Sequence, residues 1–308
     1  MKKTGAVGYN RLNIFIFFLV LFVTHINFFP YKYDLAIVAM FRNEGRFIKE
    51  WIEYHRLIGV QYFYLYNNSS TDNYEKILRP YVEKGIVEIT NWNHYDGFHI
   101  LDQAEAYQDA LNKMKGVVKW IAFIDLDEFI CPVIQDNLLT FLKDYEDYGG
   151  LCINWLFFGT SDIECINNDE LMIERLTKCN PNYGSTVWVK SIVQPDRTIS
   201  IPSAHFCQYK TPYFQVNADK IRFEGYLAPY ATLDKVRINH YWPRDIKNLV
   251  EVKIPNSLLA RAWEKEYAKK LQLIEWIIED CKKLNTIQDT VIHKYLHRLK
   301  IKMNDNIA

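Results

Sequence analysis

The chain has 308 residues, 49% of them hydrophobic, and its 37 basic side chains balance 37 acidic ones. That length supplies core for one large domain or two small ones. A net charge of zero argues against nucleic acid as the main partner, because neutralising phosphates takes a basic surplus. The cysteines at 131, 152, 165, 179, 207 and 281 form no C-x-x-C pair. A zinc ribbon or redox motif is therefore not expected, and free, buried thiols are.

In chain order, Lys2, Lys3 and Arg11 precede "IFIFFLVLFV" (14–23), and apolar residues continue to Phe29. The run approaches the roughly 20 residues that cross a bilayer. It is followed by "THINFFPY", which offers no small-residue cleavage site for a signal peptide. Residues 1–30 are therefore read as a single-pass membrane anchor, ahead of a cleaved signal or a buried helix. Its orientation stays open, because Lys32, Arg42, Arg46 and Lys49 balance the basic residues in front.

Beyond Pro30 the pattern alternates. "YDLAIVAMF" (33–41) has the continuous apolar character of a buried parallel strand. "NEGRFIKEWIEYHRLIG" (43–59) puts Phe47, Ile48, Trp51, Ile52, His55 and Ile58 on one helical face and Gly59 at the cap. A second strand is predicted at 60–68, a loop and helix at 69–85, a third strand at 86–92, a helix at 101–116 and a fourth strand over "KWIAFIDLD". This βα rhythm predicts an α/β fold: a mostly parallel sheet with helices on both faces. In such sheets ligands bind at the carboxyl ends of strands, where "FRNE", "NNSSTD" and "DLDE" fall. From about 150 to 245 strand-like segments mix with irregular ones, closing a domain that spans 31–245. Residues 246–308 read as a helical C-terminal extension whose basic faces are solvated or lie along a membrane.

Asp125 and Asp127 flank Leu126, so an extended chain points both carboxylates to one side. At a buried strand's mouth they repel unless neutralised, and a hard divalent cation holding a diphosphate is an economical solution. The plain alternative is an acidic loop that caps the next helix.

Several blocks carry a resemblance. "FRNEGRFIKEWIEYHRLIGVQYFYLYNNSSTD", "LRPYVEKGIVEI", "QAEAYQDAL" and "KWIAFIDLDEFICP" resemble glycosyltransferase family 92, and "NWLFFGTS", "ERL", "KSIVQP", "AHF" and "INHY" follow in that family's order. The resemblance implies a GT-A (nucleotide-diphospho-sugar transferase) fold and an inverting, metal-dependent transfer of a hexose. Galactose is the sugar most associated with the family, and the donor implied is UDP-linked. The acceptor would be a glycan or glycolipid, and the cation manganese. By the same resemblance Asp127 is the direct metal ligand and Asp125 contacts metal or donor ribose. A late histidine completes the coordination: His240, with His205 as second choice. The plain alternative for His240 is a histidine packed among aromatics.

The loops after the first two strands resemble those that hold uridine, which implies donor contacts from Arg42, Asn43, Asn68 and Asp72. Asn43 and Asp72 also suit local helix capping. An inverting transfer needs a base on the acceptor side, and Glu174, Asp162 and Glu164 are the candidates. Trp155, Phe157, Phe158 and Trp188 are candidates for stacking on acceptor sugar, with core packing as the ordinary reading. Two other functions compete: a membrane-anchored carbohydrate-binding protein without turnover, and a haloacid-dehalogenase-like phosphatase using "DLDEF". The latter motif normally follows the first strand, which is not its place here.

Overall fold

The computed structural model describes residues 31–92, 100–260 and 266–305; the apolar N-terminal run lies outside them. Strand β1 (Tyr33–Phe41) is central. Its alternate residues divide cleanly between two cores: Leu35, Ile37, Ala39 and Phe41 face one, Ala36, Val38 and Met40 the other. That period of two is why a strand buried on both faces reads as an unbroken apolar run. β1 pairs in parallel with β2 (Tyr62–Asn67) on one side and β4 (Val118–Phe123) on the other, and β2 pairs in parallel with β3 (Val87–Asn91). The chain thus runs outward through β1, β2 and β3 and crosses back to β4, which creates a switch point between the carboxyl ends of β1 and β4.

Helices cover both faces, as expected. Ile48–Leu57 and Tyr74–Glu83 bury Trp51, Tyr54 and Tyr81 in the first core; Ile100–Met114 buries Ala106, Tyr107, Ala110 and Leu111 in the second. The first of these helices starts at Ile48, five residues later than the periodicity from Asn43 suggests. Asn43 takes a positive φ of 56°, and the Gly45 N–H donates to Asp72 Oδ2 at 2.7 Å, so the segment is a loop tied to its neighbour.

After β4 the sheet turns mixed. Strand β5 (Glu128–Pro132) leads to β6 (Gly150–Phe158), short β7 (Lys178–Asn180) and β8 (Val189–Val193), which runs antiparallel between β4 and β6. β9 (Thr198–Ser203) and β10 (Phe206–Tyr209) form a separate hairpin. β11 (Gln215–Val216) and β12 (Val236–His240) both lie parallel to β6, and β13 (Ile287–Gln288) pairs with β7. β5 pairs antiparallel with β12. Its backbone is also met by helix Ile48–Leu57: Trp51 Nε1 donates to the Glu128 carbonyl and the Tyr54 hydroxyl to that of Ile130, both at 2.8 Å.

Tyr33 to Ala308 cluster as one compact unit. The C-terminal helices are part of it: Leu299, in helix Leu296–Asn304, is buried, and Lys49 donates to the Met303 carbonyl at 2.8 Å. Among the described residues no helix is long and apolar enough to cross a membrane. All six cysteines are free and five are buried, but Cys165 is exposed, on an irregular loop that places no core against it.

His55 is fully buried. The Ile130 N–H donates to its Nε2 at 3.2 Å, so Nδ1 carries the proton and donates to the Trp51 carbonyl at 2.8 Å. Burial pushes its pKa down to about 3. The unfolded chain protonates it near the ordinary value of 6.5, so this contribution to stability is complete above that pH and is lost as pH falls toward 3. Urea unfolding across that window should show His55→Gln losing less stability on acidification than wild type, by up to about 1.4 kcal/mol per pH unit.

Candidate active site

The segment from Asp125 to Glu128 is a tight turn, closed by the Glu128 N–H donating to the Asp125 carbonyl at 3.1 Å. The extended arrangement expected for Asp125 and Asp127 is therefore replaced by a turn between β4 and β5. The two carboxylates answer to different cations. Asp125 Oδ2 lies 2.8 Å from Lys190 Nζ, and its Oδ1 accepts from Gln103 at 2.7 Å. Asp127 Oδ2 lies 2.5 Å from Lys253 Nζ, and its Oδ1 stands 3.6 Å from His240 Nε2.

Burial alone would push both carboxyls up; Lys190 holds Asp125 below the usual carboxylate range, and Lys253, His240 and Arg244 hold Asp127 well below it. Glu128 is the converse. It is fully buried, its Oε1 has no hydrogen-bond partner, and burial outweighs Lys190 3.9 Å away to raise its carboxyl well above the ordinary range. Its Oε2 accepts from the Asp125 N–H at 2.9 Å and so fixes the turn.

Asp127 and His240 fit a divalent cation as a pair: a buried carboxylate oxygen faces an imidazole nitrogen, and the other ring nitrogen, Nδ1, has no partner. Asp125 does not complete a triad, since both its oxygens are engaged, and no three His, Cys, Asp or Glu side chains gather as a metal site among the described residues. Few protein ligands suit a cation that takes the rest of its shell from phosphate and water. His240 also packs against Trp155 and Phe157, with ring centroids 4.8 and 5.0 Å away. His205 instead sets Nδ1 3.2 Å from the Val189 carbonyl and is edge-on to Trp155 and Trp188. Burial and Lys190 lower its pKa to about 4.

At the β1 and β2 ends, the side chains expected to touch nucleotide knit the loops together. Asn43 Oδ1 accepts from the Thr71 N–H at 2.7 Å, and Asp72 accepts from Gly45. Asn68 is buried with its amide toward Met40, and Arg42 is exposed. The three candidate bases lie elsewhere. Glu174 pairs with Lys300 at 2.6 Å, Asp162 pairs with Lys178 at 2.5 Å, and Glu164 is exposed.

Lys253 and Arg244 had no motif to reveal them, and Lys190 and Glu44 stood inside the quoted blocks "KSIVQP" and "FRNE" without a role assigned to them. Arg244 is buried, pairs with Glu44 and stacks over Phe47 at 4.1 Å, which joins the first strand's loop to the chain after β12. Beside His240 opens a cavity of about 270 Å³ whose wall includes Trp155, Phe157, Tyr183, Trp188 and Trp242. Of the four aromatics proposed for stacking, only Phe158 belongs to the core without lining it.

The sequence pattern of glycosyltransferase family 92 matches residues 38–260. The chain belongs to that family. A family 92 protein of Ricinus communis is 26% identical over 204 residues, covering 61% of this chain and 34% of that one. A galactan beta-1,4-galactosyltransferase of Arabidopsis thaliana is 28% identical over 112 residues (34% and 21%), and the beta-1,4-galactosyltransferase galt-1 of Caenorhabditis elegans 28% over 118 (36% and 28%). The chain spans about a third or less of the length of these family 92 relatives. Among solved structures, Staphylococcus aureus TarS 1–349 in complex with UDP overlaps 80% of this chain and 70% of that one, with a TM-score of 0.38 and 14% identity. The family match removes the phosphatase alternative.

Lys190 is the buried cation on which the acidic turn rests. Replacing it by methionine leaves the partly exposed Asp125 and the buried Glu128 without their ammonium partner. Lys190→Met should cost about 1–3 kcal/mol of stability, and Asp125→Asn in the same chain should recover part of it, as read from denaturant midpoints.

Proposed function

We propose that this chain is an inverting, metal-assisted glycosyltransferase of the GT-A type that moves a hexose, galactose, from a UDP-linked donor to a glycan or glycolipid. The observation that carries the reading is the Asp127–His240 pair, flanked by Lys253 and Arg244 at the carboxyl ends of the central strands. Family membership supports sugar transfer, and the names of the Arabidopsis and nematode relatives favour galactose.

Asp127 and His240 would hold the cation, which supplies Lewis acidity to the departing diphosphate when bound. The chain's own cations act beside it. Lys253 and Arg244 are fixed in place before any charge develops, so they stabilise the leaving group without having to reorganise. In the displacement, the acceptor oxygen bonds to the anomeric carbon as the bond from that carbon to the diphosphate oxygen breaks. The acceptor's proton passes to a carboxylate base. Of the carboxylates expected for this, Glu174, Asp162 and Glu164 do not line the cavity beside His240. Residues 1–30 would hold the enzyme at a membrane.

Nucleotide release should be measured for UDP-galactose, UDP-glucose, UDP-N-acetylglucosamine and GDP-mannose, with manganese or with chelator. We expect manganese-dependent UDP release from one donor, reduced about 100-fold or more in Asp127→Asn. Folded wild-type protein that releases nucleotide from no donor, with glycan acceptors added, would overturn the reading in favour of binding without turnover.

A further inference from the structure

We propose that Trp276 and Asp280, on helix Tyr267–Lys282, form the wall that selects the acceptor, and that the occupant of the cavity they line is a saccharide ring. The proposal rests on the transferase reading. Both residues fall outside the family-matched residues 38–260.

The cavity adjoins the candidate metal pair through a shared wall. Trp155 and Phe157 line it and pack directly against His240, which faces Asp127. A molecule in the cavity therefore lies one aromatic layer from His240. Ile277 and Cys281, which line the cavity as well, pack with Leu249 and Ile254 and so fix how the helix is turned. Trp276 and Asp280 are four residues apart and share one face.

The lining matches a sugar better than an alkyl chain. Its indole and phenyl faces suit the C–H face of a pyranose, and its few polar groups suit hydroxyls. Asp280 accepts a hydrogen bond from the Tyr183 hydroxyl and lies 3.3 Å from Lys283, so its carboxylate is held in place. Trp276, 57% exposed, stands as a large aromatic at the rim, ready to be covered.

The test uses the full chain and separates donor hydrolysis from transfer. UDP release from the active UDP-sugar into water is measured without acceptor. Transfer is then measured to galactose, β-1,4-galactobiose, N-acetylglucosamine and octanol. Trp276→Ala should keep hydrolysis within about twofold of wild type and raise the saccharide KM about tenfold, the loss of one aromatic contact, with Trp276→Phe restoring most of it. Asp280→Asn should change the ranking among the saccharides. Unchanged saccharide KM and ranking in both variants would overturn the proposal, as would wild-type transfer to octanol and to no saccharide. Absence of hydrolysis and transfer in wild type itself would instead sink the transferase reading, and this proposal with it.

Discussion

The ammonium of Lys190, buried to within 1% of full enclosure, is the interaction on which the acidic turn depends. Three carboxyl groups crowd the mouth of β4, and burying charge is tolerable only where it is paired or removed. Lys190 pairs with Asp125, and burial pushes the Glu128 carboxyl well above the usual range, toward its neutral form, while its Oε2 accepts the hydrogen bond that fixes the turn. The ammonium can reach this point because β8 runs antiparallel between β4 and β6 and brings Lys190 under the strand mouth. The reversed strand, an irregularity in an otherwise parallel half-sheet, is thus tied to the charge balance of the site.

With Asp125 committed to Lys190, Asp127 is left to a separate electrostatic centre made of Lys253, His240 and Arg244. The two aspartates of one short motif therefore do different work. One anchors the loop and one faces the open end of the sheet. Glu44, through Arg244, ties the loop after β1 to that same centre, so the two sides of the switch point are locked together by a charge pair as well as by packing.

Much of the fold was legible because burial on both faces leaves a plain signature. β1 through β4 and the helices between them follow from apolar runs and a period near 3.6. β5 was not, since "EFICP" continues without a break from the acidic turn and reads as the end of the strand before it. The late start of helix Ile48–Leu57 was hidden as well: nothing in "NEGRF" announces that Asp72, 27 residues away, will bind the Gly45 amide. In the site, the nearness of Asp127 and His240 was visible only through the order of resembling blocks. The role of Lys190 was hidden for a physical reason, although the residue opens the resembling block "KSIVQP". In "VWVKSIV" a lysine between apolar residues looks like the solvent face of an alternating strand, and only the carboxylates across the sheet make its burial possible.

The centre around Asp127 draws on residues 44, 127, 240, 244 and 253, so its members are separated by up to 209 positions along the chain. During synthesis the acidic turn emerges from the ribosome long before the cations that balance it. A nascent chain ending near residue 180 would hold β1 to β4 with neither Lys190 nor Lys253 yet made, and contacts this distant in sequence form slowly. The charge balance of the turn is therefore completed only once the chain as far as Lys253 has been made and has docked.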